Sequence, residues 1–260
     1  MGWALTSRLS SLLRFGRGRR VVAGAGAPPG GAPLVLYEFE ACPFCRKVRE
    51  AMTELDLVYE CRPTARGAAR RAEAPTLPRG AASFPYLVDP NTGQAMHESE
   101  DILEYLHATY GAGPRTAARR ALTPLVDVGA ALASLLRPGG RFVRAGVPAE
   151  PRDLEPLVLY GTEGSPGTRR VRERLCELDL VSQVRPVGVG TRRAAALAQA
   201  WRALGPGEGR REAADIEAPG IPLLVDPNTA ARRAGPEAIL TYLEATYGPA
   251  REALPAQAKP

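Results

Sequence analysis

The sequence predicts an α/β fold built twice: two tandem units, each a mixed four-stranded sheet flanked by helices, joined by a helical linker. Two matches within the chain and one spacing pattern predict it. The run LVLYEFEACPFCRKVREAMTELDLVYECRP (34–63) lies over LVLYGTEGSPGTRRVRERLCELDLVSQVRP (157–186) without a gap. FPYLVDPNTGQAMHESEDILEYLHATYG (84–111) lies equally well over IPLLVDPNTAARRAGPEAILTYLEATYG (221–248). Within each copy, short apolar runs alternate with stretches of helical spacing. The first offset is 123 and the second 137, so the second copy carries 14 extra residues between its two blocks. The expected organisation is therefore a presequence over 1–31, a first unit over 32–111, a linker over 112–155, a second unit over 156–248 and a disordered tail over 249–260.

Each element has its own signal. Leu34–Phe39 is a short apolar run before a turn, which fits a buried strand. Over residues 43–55, Phe44, Val48, Met52 and Leu55 fall on one face of a helix. Residues 57–61 form a second strand, parallel to the first because the helix makes the crossover. Pro85–Asp89 and Gln94–His97 flank Pro-Asn-Thr-Gly, a hairpin signal. Glu98–Tyr110 closes the unit as a helix with Ile102, Leu103, Tyr105, Leu106 and Tyr110 inward and Gly111 as its stop. The linker contains an apolar, Ala-rich stretch, Leu122–Leu136, too short to span a bilayer.

Charge narrows the partners. The formal net charge is +6, from 34 basic and 28 acidic residues. Five of the arginines (Arg8, Arg14, Arg17, Arg19 and Arg20) precede the first acid, Glu38. Without them 29 basic residues face 28 acidic ones, so the body is nearly neutral and no nucleic-acid partner is expected. The first 31 residues, free of acids and rich in Arg and Ser, read as a targeting peptide for the chloroplast, with the mitochondrion as alternative. No run of apolar residues is long enough for a transmembrane segment.

The chemistry concentrates at Cys42-Pro43-Phe44-Cys45. The first cysteine follows a strand and opens a helix, where free N–H groups and the helix dipole stabilise a thiolate. Arg46 and Lys47 are expected to act in the same direction. Pro43 suits the first turn, and the i, i+3 spacing brings Cys45 within bridging reach of Cys42. A zinc knuckle also uses CxxC, but no second pair of ligands completes a metal site, and none is expected. Cys61 and Cys176 read as buried small apolar residues. The two histidines, His97 and His107, carry no expected role.

CPFC at a helix start, FPYLVDP and then ESEDILEYL resemble the N-terminal, thioredoxin-fold domain of glutathione S-transferases and, at CPFC, glutaredoxins. The doubling is similar to tandem glutathione-transferase N-domain proteins of plants, algae and cyanobacteria. The resemblance implies a cis Pro85, with the backbone of Phe84 pairing with the cysteinyl part of glutathione. It also implies that Glu98 and Ser99 hold the γ-glutamyl carboxylate, a role that a helix N-terminus supports on physical grounds. The implied activity is a glutathione-dependent thiol–disulfide oxidoreductase with Cys42 and Cys45 catalytic, glutathione as co-substrate, and protein or small-molecule disulfides as partners. Glutathione conjugation and a non-enzymatic glutathione-binding or scaffold role are the alternatives. The second copy has Ser165-Pro166-Gly167-Thr168 for CPFC and Gly235-Pro236 for Glu98-Ser99. It is expected to keep the fold without the chemistry.

Overall fold

A computed structural model of the chain describes residues 17–22, 26, 31–75, 83–115, 128, 131–132, 139–204 and 222–249. Among these, the first copy runs β1 (Leu34–Glu38), α1 (Pro43–Glu54), β2 (Tyr59–Pro63), a 3-10 turn (Ala69–Glu73), β3 (Tyr86–Asp89), β4 (Gln94–Met96) and α2 (Ser99–Tyr110). The second runs β5 (Leu157–Gly161), α3 (Pro166–Glu177), β6 (Ser182–Pro186), α4 (Ala194–Arg202), β7 (Leu223–Val225), β8 (Arg232–Ala234) and α5 (Pro236–Tyr247). β2 begins two residues later than its apolar run suggests, because the helix ends in a left-handed turn. Asp56 has a φ of 53°, and Leu57 N–H donates to Met52 O at 2.9 Å, the closure that satisfies the last helical carbonyls. Asp179 (φ 52°) and Leu180 N–H to Leu175 O (3.0 Å) repeat it in the second copy.

The strands form one sheet instead of two. Its order is β4-β3-β1-β2-β6-β5-β7-β8. β1 and β2 are parallel, as are β5 and β6, and every other pairing is antiparallel. The seam is β2 against β6, with Tyr59 opposite Val184 and Cys61 opposite Ser182. Joining the two β2-type edges covers strands that would otherwise template aggregation. The halves are related as in an isologous dimer, each giving the other what it receives.

The first core packs Leu34, Leu36, Val48, Met52, Leu55 and Leu57 against Leu87, Ile102 and Leu106, and Val184 joins it across the seam. Phe44, expected on that face, is instead 50 % exposed, because it stands in the first helical turn beyond the sheet. The opposite face of α1, written in charges, is buried: Arg46, Lys47, Arg49, Glu50 and Glu54 are covered. Their partners come from both copies. Arg49 Nε pairs with Glu163 Oε2 at 3.0 Å, and Arg172 Nε pairs with Glu40 Oε2 at 3.0 Å. These are the same contact seen twice, since Glu163 and Arg172 are the repeats of Glu40 and Arg49. Arg49 also pairs with Glu38 and Glu40, and Arg172 with Glu163.

Residues 17–22, read from sequence as part of a disordered presequence, belong to the fold. Gly18 N–H donates to Glu54 Oε1 (3.4 Å), Val22 N–H to Glu54 O (2.8 Å) and Val21 N–H to Val189 O (2.9 Å). The stretch before β5 does the same on the other side. Gly140 N–H donates to Glu177 Oε1 (3.2 Å), Arg144 N–H to Glu177 O (2.9 Å) and Val143 N–H to Arg66 O (2.9 Å). Each copy is thus preceded by a strap that anchors on its own first helix and crosses to the other copy. Gly18 and Gly140 have φ of 67° and 73°, and a Cβ on either would lie within 3 Å of Glu163 or Glu40. The rest of the presequence, most of the expected linker helix and residues 250–260 lie outside the described residues. No helix among the described residues is long and apolar enough to cross a membrane.

Candidate functional site

The Asp-Pro-Asn-Thr turn sets the height of the last helix. Asp89 is fully buried and accepts hydrogen bonds from the hydroxyls of Tyr105 and Tyr110 of α2, both at 2.5 Å. Asn91 N–H donates to the same carboxylate at 2.8 Å. These bonds hold Asp89 below the ordinary carboxylate range against the upward push of burial,. Asp226, with Tyr242 and Tyr247, repeats the device. The hairpin is thereby clamped to α2, and the start of α2 is fixed relative to the start of β3.

Cys42 is the N-cap of α1. Its sulfur accepts the Cys45 N–H at 3.2 Å, so one of the free donors of the first turn is spent on it,. The Phe84–Pro85 peptide is cis, and it brings the Phe84 carbonyl to 3.9 Å from Cys42 Sγ. Burial pushes the Cys42 thiol up. The bonds from Cys45 outweigh that and leave it below its ordinary 9.0, with Glu38 raising it and Arg49 lowering it further. Cys45 is 0 % exposed and stands well above 9.0, through burial first and then the neighbouring Cys42. Both sulfurs are free thiols.

The cations next to the thiols in sequence serve other partners. Lys47 Nζ meets Glu100 Oε1 at 2.8 Å, and Arg46 Nε lies 4.0 Å from Glu163. The cation that bears on Cys42 is Arg49, seven residues on. It returns to the same side of the helix after two turns, a spacing from which sequence reasoning could have named it. Cys61 and Cys176 are buried as expected. Each also donates a hydrogen bond, Cys61 to Glu38 Oε1 at 3.2 Å and Cys176 to Gly140 O at 3.1 Å.

Glu98 caps α2 with a φ of 65°, an uncommon backbone for a residue with a side chain,. Its side chain is exposed, whereas Ser99 beside it is 7 % exposed. The first intrahelical bond is Ile102 N–H to Glu98 O at 3.0 Å. The N–H groups of Ser99, Glu100 and Asp101 thus precede the helix ladder, the position at which a helix start favours a carboxylate,. The acid at Glu100 is neutralised by Lys47 and by Arg115 (2.6 Å). The fold thus brings the helix start at Cys42 beside the cis Phe84–Pro85 peptide, and it fixes Glu98-Ser99 at the head of the helix packed on α1.

The second copy keeps the scaffold of this site. Ser165 is the N-cap of α3 and accepts Thr168 N–H at 3.3 Å, the same bond with oxygen in place of sulfur. Gly235 takes a φ of 82° where Glu98 has 65°. A Cβ on Gly167, which stands for Phe44, would meet Pro222 and Pro236 at 3.3 and 3.4 Å. That space is closed.

Comparison with known families matches residues 36–115 to the model of the glutathione S-transferase N-terminal domain. No curated protein and no solved structure matches the chain. The matched stretch runs from within β1 through α2 and carries the thiol pair, the cis proline and the Glu98-Ser99 helix start. Residues 36–115 of this chain are a glutathione S-transferase N-terminal domain of thioredoxin-like fold.

Proposed function

We propose that the protein is a glutathione-dependent thiol–disulfide oxidoreductase in which Cys42 is the attacking nucleophile. One observation carries this reading: the Cys42 sulfur caps α1, accepts the Cys45 N–H at 3.2 Å and faces the carbonyl before a cis proline. A sulfur that accepts a backbone N–H gains most when it is a thiolate, the form that attacks disulfides.

The proposed cycle balances with glutathione as reductant. The Cys42 thiolate attacks a substrate disulfide; the substrate S–S bond breaks, one thiolate leaves and a Cys42 mixed disulfide forms. The thiolate of one glutathione attacks the Cys42 sulfur, displaces the remaining half as its thiolate and takes its place; a second glutathione attacks the glutathione sulfur of that mixed disulfide, so that glutathione disulfide leaves and the Cys42 thiolate is restored. Two glutathione thiols become one disulfide while one substrate disulfide becomes two thiols. Phe84 is proposed to hold the cysteinyl backbone of glutathione, and Glu98 with the N–H groups at Ser99 its γ-glutamyl carboxylate. Cys45 is the alternative resolving thiol. Two of the influences that raise it, its bond to Cys42 and the Cys42 charge, vanish once Cys42 is in a mixed disulfide, but burial remains the largest.

The test is reduction of a glutathione mixed disulfide by the purified chain. Cys42→Ser is expected to abolish it and Cys45→Ser to retain much of it; unchanged activity in Cys42→Ser refutes the reading. The depth of Cys45 also favours a second reading, conjugation of glutathione to a small electrophile, which needs no resolving thiol. Conjugation of an aryl halide that survives Cys45→Ser would support it. The acid-free, Arg-rich start of the chain supports import into a chloroplast, with the mitochondrion as alternative,.

A further inference from the structure

Beside Cys42 the surface opens into a cleft of about 280 Å³ whose lining includes Phe39, Pro43, Arg66, Arg71, Arg141 and Phe142. Part of that lining is the strap that precedes the second copy. Arg66 N–H donates to Arg141 O at 2.9 Å and Val143 N–H to Arg66 O at 2.9 Å, which sets Phe142 in register beside Arg66. The cleft and the thiol share Phe84. Its ring packs edge-on against Phe39 (6.3 Å) and under the Arg71 guanidinium (4.9 Å), while its carbonyl faces Cys42 Sγ.

The three arginines differ from those at the seam. Arg49 and Arg172 are neutralised by carboxylates. Among the described residues, no carboxylate pairs with Arg66, Arg71 or Arg141; Arg66 lies over the Phe142 ring and Arg71 donates to the Thr64 carbonyl. Arg71 is held below its ordinary value by burial and by the charge of Arg66. Three guanidinium groups lining one cleft, with no carboxylate partner among the described residues, form a field and a donor set suited to an anion,.

Among the described residues, the corresponding place in the second copy is lined differently. Val189 holds the place of Arg66 in the matching strap bridge. The stem of Arg19, the repeat of Arg141, lies over Gly164, so close that a Cβ there would be 2.3 Å away. Among the described residues, the arginine of the strap bridge and the thiol thus occur in the same copy.

We propose that this cleft binds the second substrate, a disulfide carrying a carboxylate or similar anion near its sulfur, so that the strap of the second copy sets the substrate class of the first copy's thiol. The inference rests on the oxidoreductase reading and deepens it. Glutathione also bears carboxylates, and the test separates the two sources. With glutathione as reductant, the full chain is assayed on three small disulfides: dithiodipropionate (anionic), hydroxyethyl disulfide (neutral) and cystamine (cationic). Each kcat/KM is divided by the uncatalysed rate with glutathione. The expected order is anionic, neutral, cationic, with about tenfold between the ends at low salt and convergence as salt is added. Arg66→Glu with Arg141→Glu, both at exposed positions, is expected to invert the order without changing KM for glutathione. An order unaltered by these changes overturns the proposal. So does a raised KM for glutathione with the order unchanged, which assigns the cleft to glutathione itself. If the wild type reduces none of the three, the oxidoreductase reading fails. The cleft is then judged by calorimetric titration of dithiodipropionate into the Cys42→Ser chain: binding that the double charge reversal removes supports it, and no binding overturns it.

Discussion

Replacing Glu163 with glutamine removes one negative charge from the centre of the seam without changing the shape of the side chain. Glu163 is 2 % exposed, and its oxygens lie 3.0 Å from Arg49 Nε and 2.5 Å from Arg172 Nη2. Burial pushes its carboxyl up, but Arg172, Arg49, Arg169 and Arg46 together bring it down from 4.5 to about 2. A carboxyl held that far below its unfolded value contributes about 3 kcal/mol at neutral pH. Breaking a buried ion pair by removing one partner costs about 3–5 kcal/mol, which agrees. Because the folded value is depressed, the stabilisation is complete above the unfolded value and is lost as pH falls from 4.5 toward 2,. Urea unfolding followed by far-ultraviolet circular dichroism is therefore expected to give Glu163→Gln a loss of about 3 kcal/mol at pH 7, and the gap to the wild type should close in acid. The repeat offers an internal check: Glu40→Gln faces the reciprocal pair and should behave alike, since Glu40 is also lowered by Arg172 and Arg49 against the push of burial. A loss under about 1 kcal/mol, or an equal loss at both ends of the pH range, would refute the view that the seam is held by these charges.

Three further outcomes follow from the same geometry. Iodoacetamide should label Cys42 first, with a rate that rises through a midpoint below 9.0, because burial raises Cys45, Cys61 and Cys176 well above that value; peptide mass mapping that finds another cysteine labelled first contradicts this. Asp89→Ala removes the acceptor of two tyrosine hydroxyls and of Asn91 and should cost about 2–4 kcal/mol in thermal or urea unfolding at pH 7,. Asp89 is depressed, so its contribution is present above its unfolded value and should fade as pH falls through its folded one,. Deleting residues 1–16 should leave the unfolding midpoint in place, whereas deleting 1–22 removes the bonds to Glu54 and Val189 and should cost about 2–4 kcal/mol,. Equal midpoints for the two truncations would show that the strap contributes nothing.

Much of the first copy was legible because its signals are local. A strand before CPFC, a helix with Val48, Met52 and Leu55 on one face, and the turn at Asp89–Gly93 each declare themselves within a dozen residues. The places of Cys42 and Glu98-Ser99 at helix starts were legible for the same reason, since capping acts within one turn,. What misled was taking neighbours in the chain for neighbours in space. Arg46 and Lys47 stand next to the thiols in the chain, yet they point to Glu163 and Glu100. Gly18 to Val22 read as leader because acids are absent there and apolar periodicity is weak. Their partners, Glu54 and Val189, are 32 and more residues away.

The order of residues alone carried the repeated unit, the cysteine at the helix start and its replacement by Ser165 in the second copy, while the resemblance to a known family implied the cis proline. Hydrophobic periodicity and capping act over one or two turns and so leave their record in the order of residues. Only the tertiary structure decided that the two β2-type edges fuse into one sheet, that the charged face of α1 is an interior, and that each copy's strap crosses to its partner. Those outcomes depend on pairs such as Arg49 with Glu163, 114 residues apart. A buried ion pair and a solvated one are written with the same letters. What distinguishes them is whether a second surface arrives to exclude the water.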